Sequence, residues 1–502
     1  MSKTISTQIA VLMLILCFAV AFTLKQPVVF LALSVALLII LLTVLFPQKL
    51  NYFFVFMYAL VPRYAGIQFP GIPDITASRI LILYYLGFSI LLNIDTIIAN
   101  IKKQRMHIIN IAMLVFLVVS LIVLLNVRNG ASVKKFIAIV FENIMVFYLV
   151  MLNIKDDREA RKCMDAMLAA AAVISLFAVF EFFTRINVFT YFGGIGALSE
   201  TGGVDKLTAG KLARLGFTRV YVTFSHPIAL GEYVLLMFYP AFGFMLREKK
   251  ITKKLIYGGI CGLLFVSLLL TLSRAPLLCF FCGLVVYFLI VEKEHKKTML
   301  KLAGAGVFIM LILILSGHAP SFITDIIYSL FVSLTGQYVG GFGGNMSPFY
   351  MRLGLVPLTM EIIRGHELLG RGLAFFSVNK WFVFDYTLNP FHKYEVDTFD
   401  NFYLLRIVES GFVGIAAYLF VFGSFLITLL QTIKRRAEHS ATAVALAEAG
   451  FVSIGVYLVC LFSADELSTI QIFWIVSAIF VSPILLQKSS SNPLALDCEL
   501  EG

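Results

Sequence analysis

The chain has 502 residues, of which 60% are hydrophobic and 14% charged, with formal net charge +11 and mean hydropathy +0.94. A soluble domain holds about 45–50% apolar and about 25% charged residues, so a water-soluble globule is excluded. A membrane β-barrel is excluded as well, because the apolar runs are helix-length rather than alternating strands of about ten residues.

Taken in chain order, the apolar runs predict spans near 8–24, 28–46, 51–62, 78–93, 108–125, 136–152, 164–184, 223–246, 255–272, 275–291, 299–316, 411–433, 442–463 and 467–486. The expected fold is an all-α polytopic membrane protein, one transmembrane domain over 1–502 with about 14 helices. The third span is the shortest. Ala19-Val20-Ala21 mimics a signal-peptidase site, but the spans that follow favour a first transmembrane helix. With the N-terminus inside, the inside segments hold 22 Lys and Arg. The short outside loops hold seven: Lys25, Arg63, Arg79, Arg128, Lys134, Lys135 and Arg274. The positive-inside rule then places both termini in the cytoplasm. The positive charge therefore reads as a topology signal and not as a nucleic-acid surface.

Seven cysteines are present, none in an expected outside loop, so no disulfide framework is implied. Cys279-x-x-Cys282 lies in an apolar helix and reads as packing rather than a redox or zinc site.

Two outside loops break the run of short connections, at 185–222 and 317–398. Both mix aromatics, glycine and charge, and long loops of that kind are commonly functional. In the second, Leu355, Leu358, Ile362 and Leu369 share one face of a helix expected along the outer membrane surface, with Pro357 arguing for a kink or a later start. Gly-rich 335–345 reads as a connector, since no Lys-Ser/Thr follows it to open a helix.

Ionisable residues at membrane depth cost about 2.5–3.5 kcal/mol each and mark functional candidates. Three clusters fall at expected outer ends of spans. RLGFTRVYVTFSHPIALGEY supplies Arg214, Arg219, His226 and Glu232; TLSRAP presents Arg274; DNFYLLRIVESG supplies Asp400, Asn401, Arg406 and Glu409. Each has a plain structural alternative. Arg274 could snorkel, His226 before Pro227 could cap a helix, Asp400 could be an N-cap, and Arg406 and Glu409 could neutralise each other at i,i+3. Together they set several arginines, carboxylates and a histidine on one side of a membrane, which suits an anionic substrate whose reaction needs a base.

The ordered segments RVYVTFSHPIALGEYVLLMFYP, TLSRAPLLCFFCGL, RLGLVPLTMEIIRGHELLGRGLAFF and DNFYLLRIVESGFVG, running from 219 to 414, resemble the O-antigen ligase and O-antigen polymerase superfamily of integral-membrane glycosyltransferases. The resemblance implies a GT-C-like bundle whose long extracytoplasmic loop carries short helices. It implies transfer of a glycan from undecaprenyl pyrophosphate to an acceptor hydroxyl, in the bacterial cytoplasmic membrane, with no metal and no other cofactor. Arg219 and Arg274, helped by Arg352 or Arg371, would hold the pyrophosphate. Asp400 or His226 would be the base, Asn401 would orient base or sugar, and Glu232, Arg406 and Glu409 would support them. The partners would be the lipid-linked donor, the glycan acceptor and membrane lipid, with room for a complex with a flippase or chain-length regulator and no nucleic acid. Ligases of the family place a His where this chain has Asp400, which leans toward a polymerase. A ligase, or a lipid-linked oligosaccharide flippase, is the alternative; a flippase would commonly show internal repeats and short loops.

Overall fold

The computed structural model describes residues 40, 43, 45–62, 66–67, 75–103, 107–127, 129–190, 213–214, 217–315, 348–379, 381–384, 393–396, 399, 401–463 and 467–486. The spans expected at 8–24 and 28–46 lie outside them, apart from positions 40, 43, 45 and 46. Asp400 also lies outside them, as does the side chain of Arg352.

The protein is an all-α polytopic membrane protein. Among the described residues eight helices are long and apolar enough to cross a membrane, with two shorter apolar helices beside them. In chain order the described helices are α1 (Leu50–Leu60), α2 (Ala77–Lys103), α3 (Ile108–Asn126), α4 (Gly130–Ala138) running through a π-helical segment at Ile139–Met145 into α5 (Val146–Asn153), and α6 (Asp157–Thr184). Then come α7 (Pro227–Arg247), α8 (Ile251–Leu270), α9 (Arg274–Ile290), α10 (Lys293–Leu315), α11 (Pro348–Ile362), the short α12 (Phe375–Val378), α13 (Phe402–Lys434), α14 (Ala441–Cys460) and α15 (Leu467–Leu485). Helix α1 has 11 residues, about 16 Å at 1.5 Å per residue, so the third expected span is too short to cross alone. Among the described residues three antiparallel two-stranded pairs lie in the connections, among them Trp381–Phe384 paired with Lys393–Val396. This hairpin lies in the second long loop, beside the helices at Pro348–Ile362 and Phe375–Val378.

Helices α7, α14 and α15 are buried on nearly every face, as expected for helices apolar all round. Trp474 of α15 is fully buried, with the rings of Phe116, Phe147 and Phe425 around it at 6.0–6.4 Å. The helices alternate in direction, so polar residues gather at two ends. At one end Asn51 donates to Asn153 O and Glu159, Arg161 stacks 3.3 Å from the centroid of Phe244, and Arg436 pairs with Glu292 at 3.3 Å. The opposite end, called here the long-loop end, carries the described residues 185–190, 219–226 and 363–379 and the described residues of the three polar clusters.

Candidate active site

Chain 219–226 crosses the long-loop end before entering α7. Arg219 Nε donates to Thr271 O at 2.9 Å and Nη2 to Ser273 Oγ at 2.7 Å, while Val220 N–H reaches Leu270 O at 3.4 Å. The turn that receives it is self-braced: Thr271 Oγ1 donates to Leu268 O, and Ser273 N–H donates to Thr271 Oγ1. Leu272 takes φ +49° between them. Arg274, the first residue of α9, follows Ser273 directly. Two guanidiniums therefore stand beside one helix N-terminus, where partial positive charge already favours an anion. Burial pulls the Arg219 pKa down to about 10, so it stays charged at neutral pH. Two of its five N–H donors are used, which leaves three for a ligand among the described residues.

His226 is the N-cap of α7. Its Nδ1 accepts from Ile228 N–H at 3.2 Å, and Pro227 opens the helix. Burial, aided by the positive charge of Arg219, pulls its pKa down to about 4. The ring is then neutral at physiological pH, and with Nδ1 accepting, its proton sits on Nε2. His226 is thus built as a hydrogen-bond donor. Glu232, further into α7, is fully buried and accepts from Thr469 Oγ1 at 2.5 Å.

Sequence reasoning missed Glu181. It is buried in the last turn of α6, where it accepts Tyr221 N–H at 3.2 Å on one oxygen and Val222 N–H at 2.9 Å on the other. Asn187 Nδ2 donates to Val222 O at 2.9 Å. The signal was present: a lone carboxylate in the apolar run ISLFAVFEFF.

The second group surrounds the start of α13. Asn401, not Asp400, is the N-cap: its Oδ1 accepts from Leu404 N–H at 3.1 Å, and its Nδ2 donates to Phe462 O at 3.1 Å. The plain structural alternative for Asp400, a helix cap, is thus filled by its neighbour. Arg406 and Glu409 do pair, at 2.5 Å, but they are not alone. Glu409 also accepts from Lys135 Nζ at 2.6 Å and from Ala374 N–H at 2.9 Å. Lys135 too was missed as a site residue, having been counted only for orientation. Arg371 donates to Ile362 O at 2.7 Å and Arg364 O at 3.4 Å, closing the C-terminal end of α11. Leu355, Leu358 and Ile362 of α11 pack with Leu404, Leu405 and Val408 of α13, whereas Leu369, expected on the same face, lies beyond the end of α11 and packs against the main core. Beneath lies a water-sized cavity of about 10 Å³ lined by Arg406, Ser410, Ser120 and Tyr418.

Helix α14 links the two groups. Its C-terminal carbonyls hold α13, through Phe402 N–H to Leu461 O and Tyr403 OH to Leu458 O. Its Cys460 thiol meets the Cys279 thiol of α9, while Cys282 is exposed on the outer surface of α9. No set of three or more His, Cys, Asp or Glu placed to hold a metal occurs among the described residues.

A family model described as O-antigen ligase matches residues 259–419. The match takes in Arg274, Arg371, Asn401, Arg406 and Glu409, and begins after Arg219, His226 and Glu232. No curated protein matches the chain. Over residues 259–419, about a third of its length, the chain is similar to the O-antigen ligase family, which supports the superfamily of O-antigen ligases and polymerases.

Proposed function

We propose that the protein polymerises oligosaccharide repeats carried on undecaprenyl pyrophosphate, at the outer face of a bacterial cytoplasmic membrane, with both termini in the cytoplasm. The family match supports a ligase- or polymerase-type enzyme acting on a lipid-linked glycan and an acceptor. The polymerase reading rests on Asp400 standing where ligases carry His.

The observation that carries the reading is the fastening of Arg219 to Thr271 and Ser273, next to Arg274. In the reaction the acceptor oxygen bonds to the anomeric carbon as the bond from that carbon to the pyrophosphate oxygen breaks. The electron pair leaves on pyrophosphate, and the hydroxyl proton passes to a base. Arg219 and Arg274 stabilise the developing anion, and His226 adds an Nε2 donor. Asp400 is the base in this scheme, one residue before the capped helix start that Asn401 fixes. Glu409 and Arg406 support that segment from within α13.

A deletion strain tests the function. Loss of long glycan with accumulation of single lipid-linked repeats at the outer leaflet is expected. Accumulation at the inner leaflet would instead mark a transporter.

A further inference from the structure

Four described non-glycine residues have positive φ: Arg185, Val222, Leu272 and Ala374. All lie at the long-loop end. Arg185 is an ordinary left-handed helix C-cap. Val222, at +52°, is different in kind, because a β-branched residue in the left-handed region is a steric outlier. Such strain costs of order 1–3 kcal/mol and persists only where the surroundings over-determine it. At Val222 they do: Glu181 takes its N–H, Asn187 takes its carbonyl, and Glu181 also takes the preceding N–H. Glu409 holds the N–H of left-handed Ala374 in the same way.

Val222 lies three positions after Arg219. Relaxing Val222 to an extended conformation would redirect the chain on both sides of it, toward Arg219 in one direction and His226 in the other. The other side of Arg219 is held by the Thr271–Ser273 turn, which contains Leu272 at +49°. The strained loop and the strained turn grip each other through the Arg219 side chain.

We propose that Glu181 is a positioning residue of the anion site: by holding Tyr221 and Val222 in this conformation it aims Arg219 across the Ser273–Arg274 helix start. It touches no substrate and acts through the loop. The inference rests on the reading of Arg219 as a pyrophosphate ligand.

The test is a double-mutant cycle on the purified full chain in lipid nanodiscs, with binding of inorganic pyrophosphate as the readout and thermal unfolding followed in parallel. Glu181→Ala is expected to weaken pyrophosphate binding at least ~10-fold. In the Arg219→Ala background it should cost nothing further, since groups acting as a unit are non-additive. Glu181→Gln keeps one acceptor oxygen and should fall between wild type and Ala, which also serves if the Ala variant does not fold. A Glu181 variant that binds like wild type, or whose loss adds fully to that of Arg219→Ala, would overturn the inference while leaving the clamp intact. Wild-type binding by Arg219→Ala would instead remove the clamp itself.

Discussion

Gly370 and Gly411 meet backbone to backbone: a Cβ on Gly370 would lie 2.6 Å from Gly411 N, and their φ angles are +70° and +64°. Gly411 interrupts α13 with a non-helical conformation, which exposes carbonyls above the break and N–H groups below it. The 367–372 loop satisfies both sets. Arg371 and Gly372 N–H donate to Val408 and Glu409 O, while Phe412 and Val413 N–H donate to Glu367 and Leu368 O. The long loop thus caps both ends of a broken transmembrane helix. Gly411→Ala is expected to cost at least the ~1–3 kcal/mol of a strained φ and to release this loop. Lower thermal stability and protease cutting near residue 370 would show it; wild-type stability would contradict the docking.

Glu409 is almost fully buried between Lys135 and Arg406. Replacing one member of a buried ionic group strands the others, at about 3–5 kcal/mol. Glu409→Ala should therefore be the most damaging single change in this group, and Lys135→Met a milder one. Denaturant unfolding of the purified variants checks the order.

The pH dependence separates the roles of His226. The folded protein holds its pKa at about 4, below the ordinary 6.5. The neutral ring's contribution to stability is complete above about pH 6.5 and is lost as pH falls through about 4. Glycan transfer should show no His226-dependent step between pH 5 and 8. His226→Asn, which keeps a capping side chain, should lower the rate without changing the shape of the profile. An acid limb near pH 6.5 that disappears in His226→Asn would make His226 the base.

Because Asn401 carries the cap, Asp400 can be tested alone. Asp400→Asn should stop transfer by about 10²–10⁴-fold, the usual worth of a general base, with little change in stability. Asn401→Ala should instead cost about 0.5–2 kcal/mol of stability, read by thermal unfolding. Wild-type polymer from Asp400→Asn would remove Asp400 from the chemistry.

The helices described here were legible because about 20 consecutive apolar residues announce a span regardless of neighbours. The break at Gly411 was not, since hydrophobicity runs through it and its cause is a backbone loop some 40 residues upstream. Clusters marked by several charges, such as Arg219–His226 and Arg406–Glu409, stood out in sequence. Single charges whose partners are distant did not: Glu181 meets residues 40 positions away and Lys135 meets Glu409 across 274. Which of Asp400 and Asn401 would cap the helix was not legible, Asp and Asn being equally good caps side by side; the structure gives the cap to Asn401.

The most direct test of the central claim is the glycan length distribution in strains carrying Arg274→Ala or Arg274→Lys at wild-type protein levels. If Arg274 and Arg219 together hold the leaving pyrophosphate, Arg274→Ala should abolish long glycan, with single lipid-linked repeats accumulating. Arg274→Lys should restore only part, because Lys offers a point charge without a bidentate fork. Glycan of full length and yield from Arg274→Ala would contradict the account and leave Arg274 as a residue that only snorkels to the membrane surface.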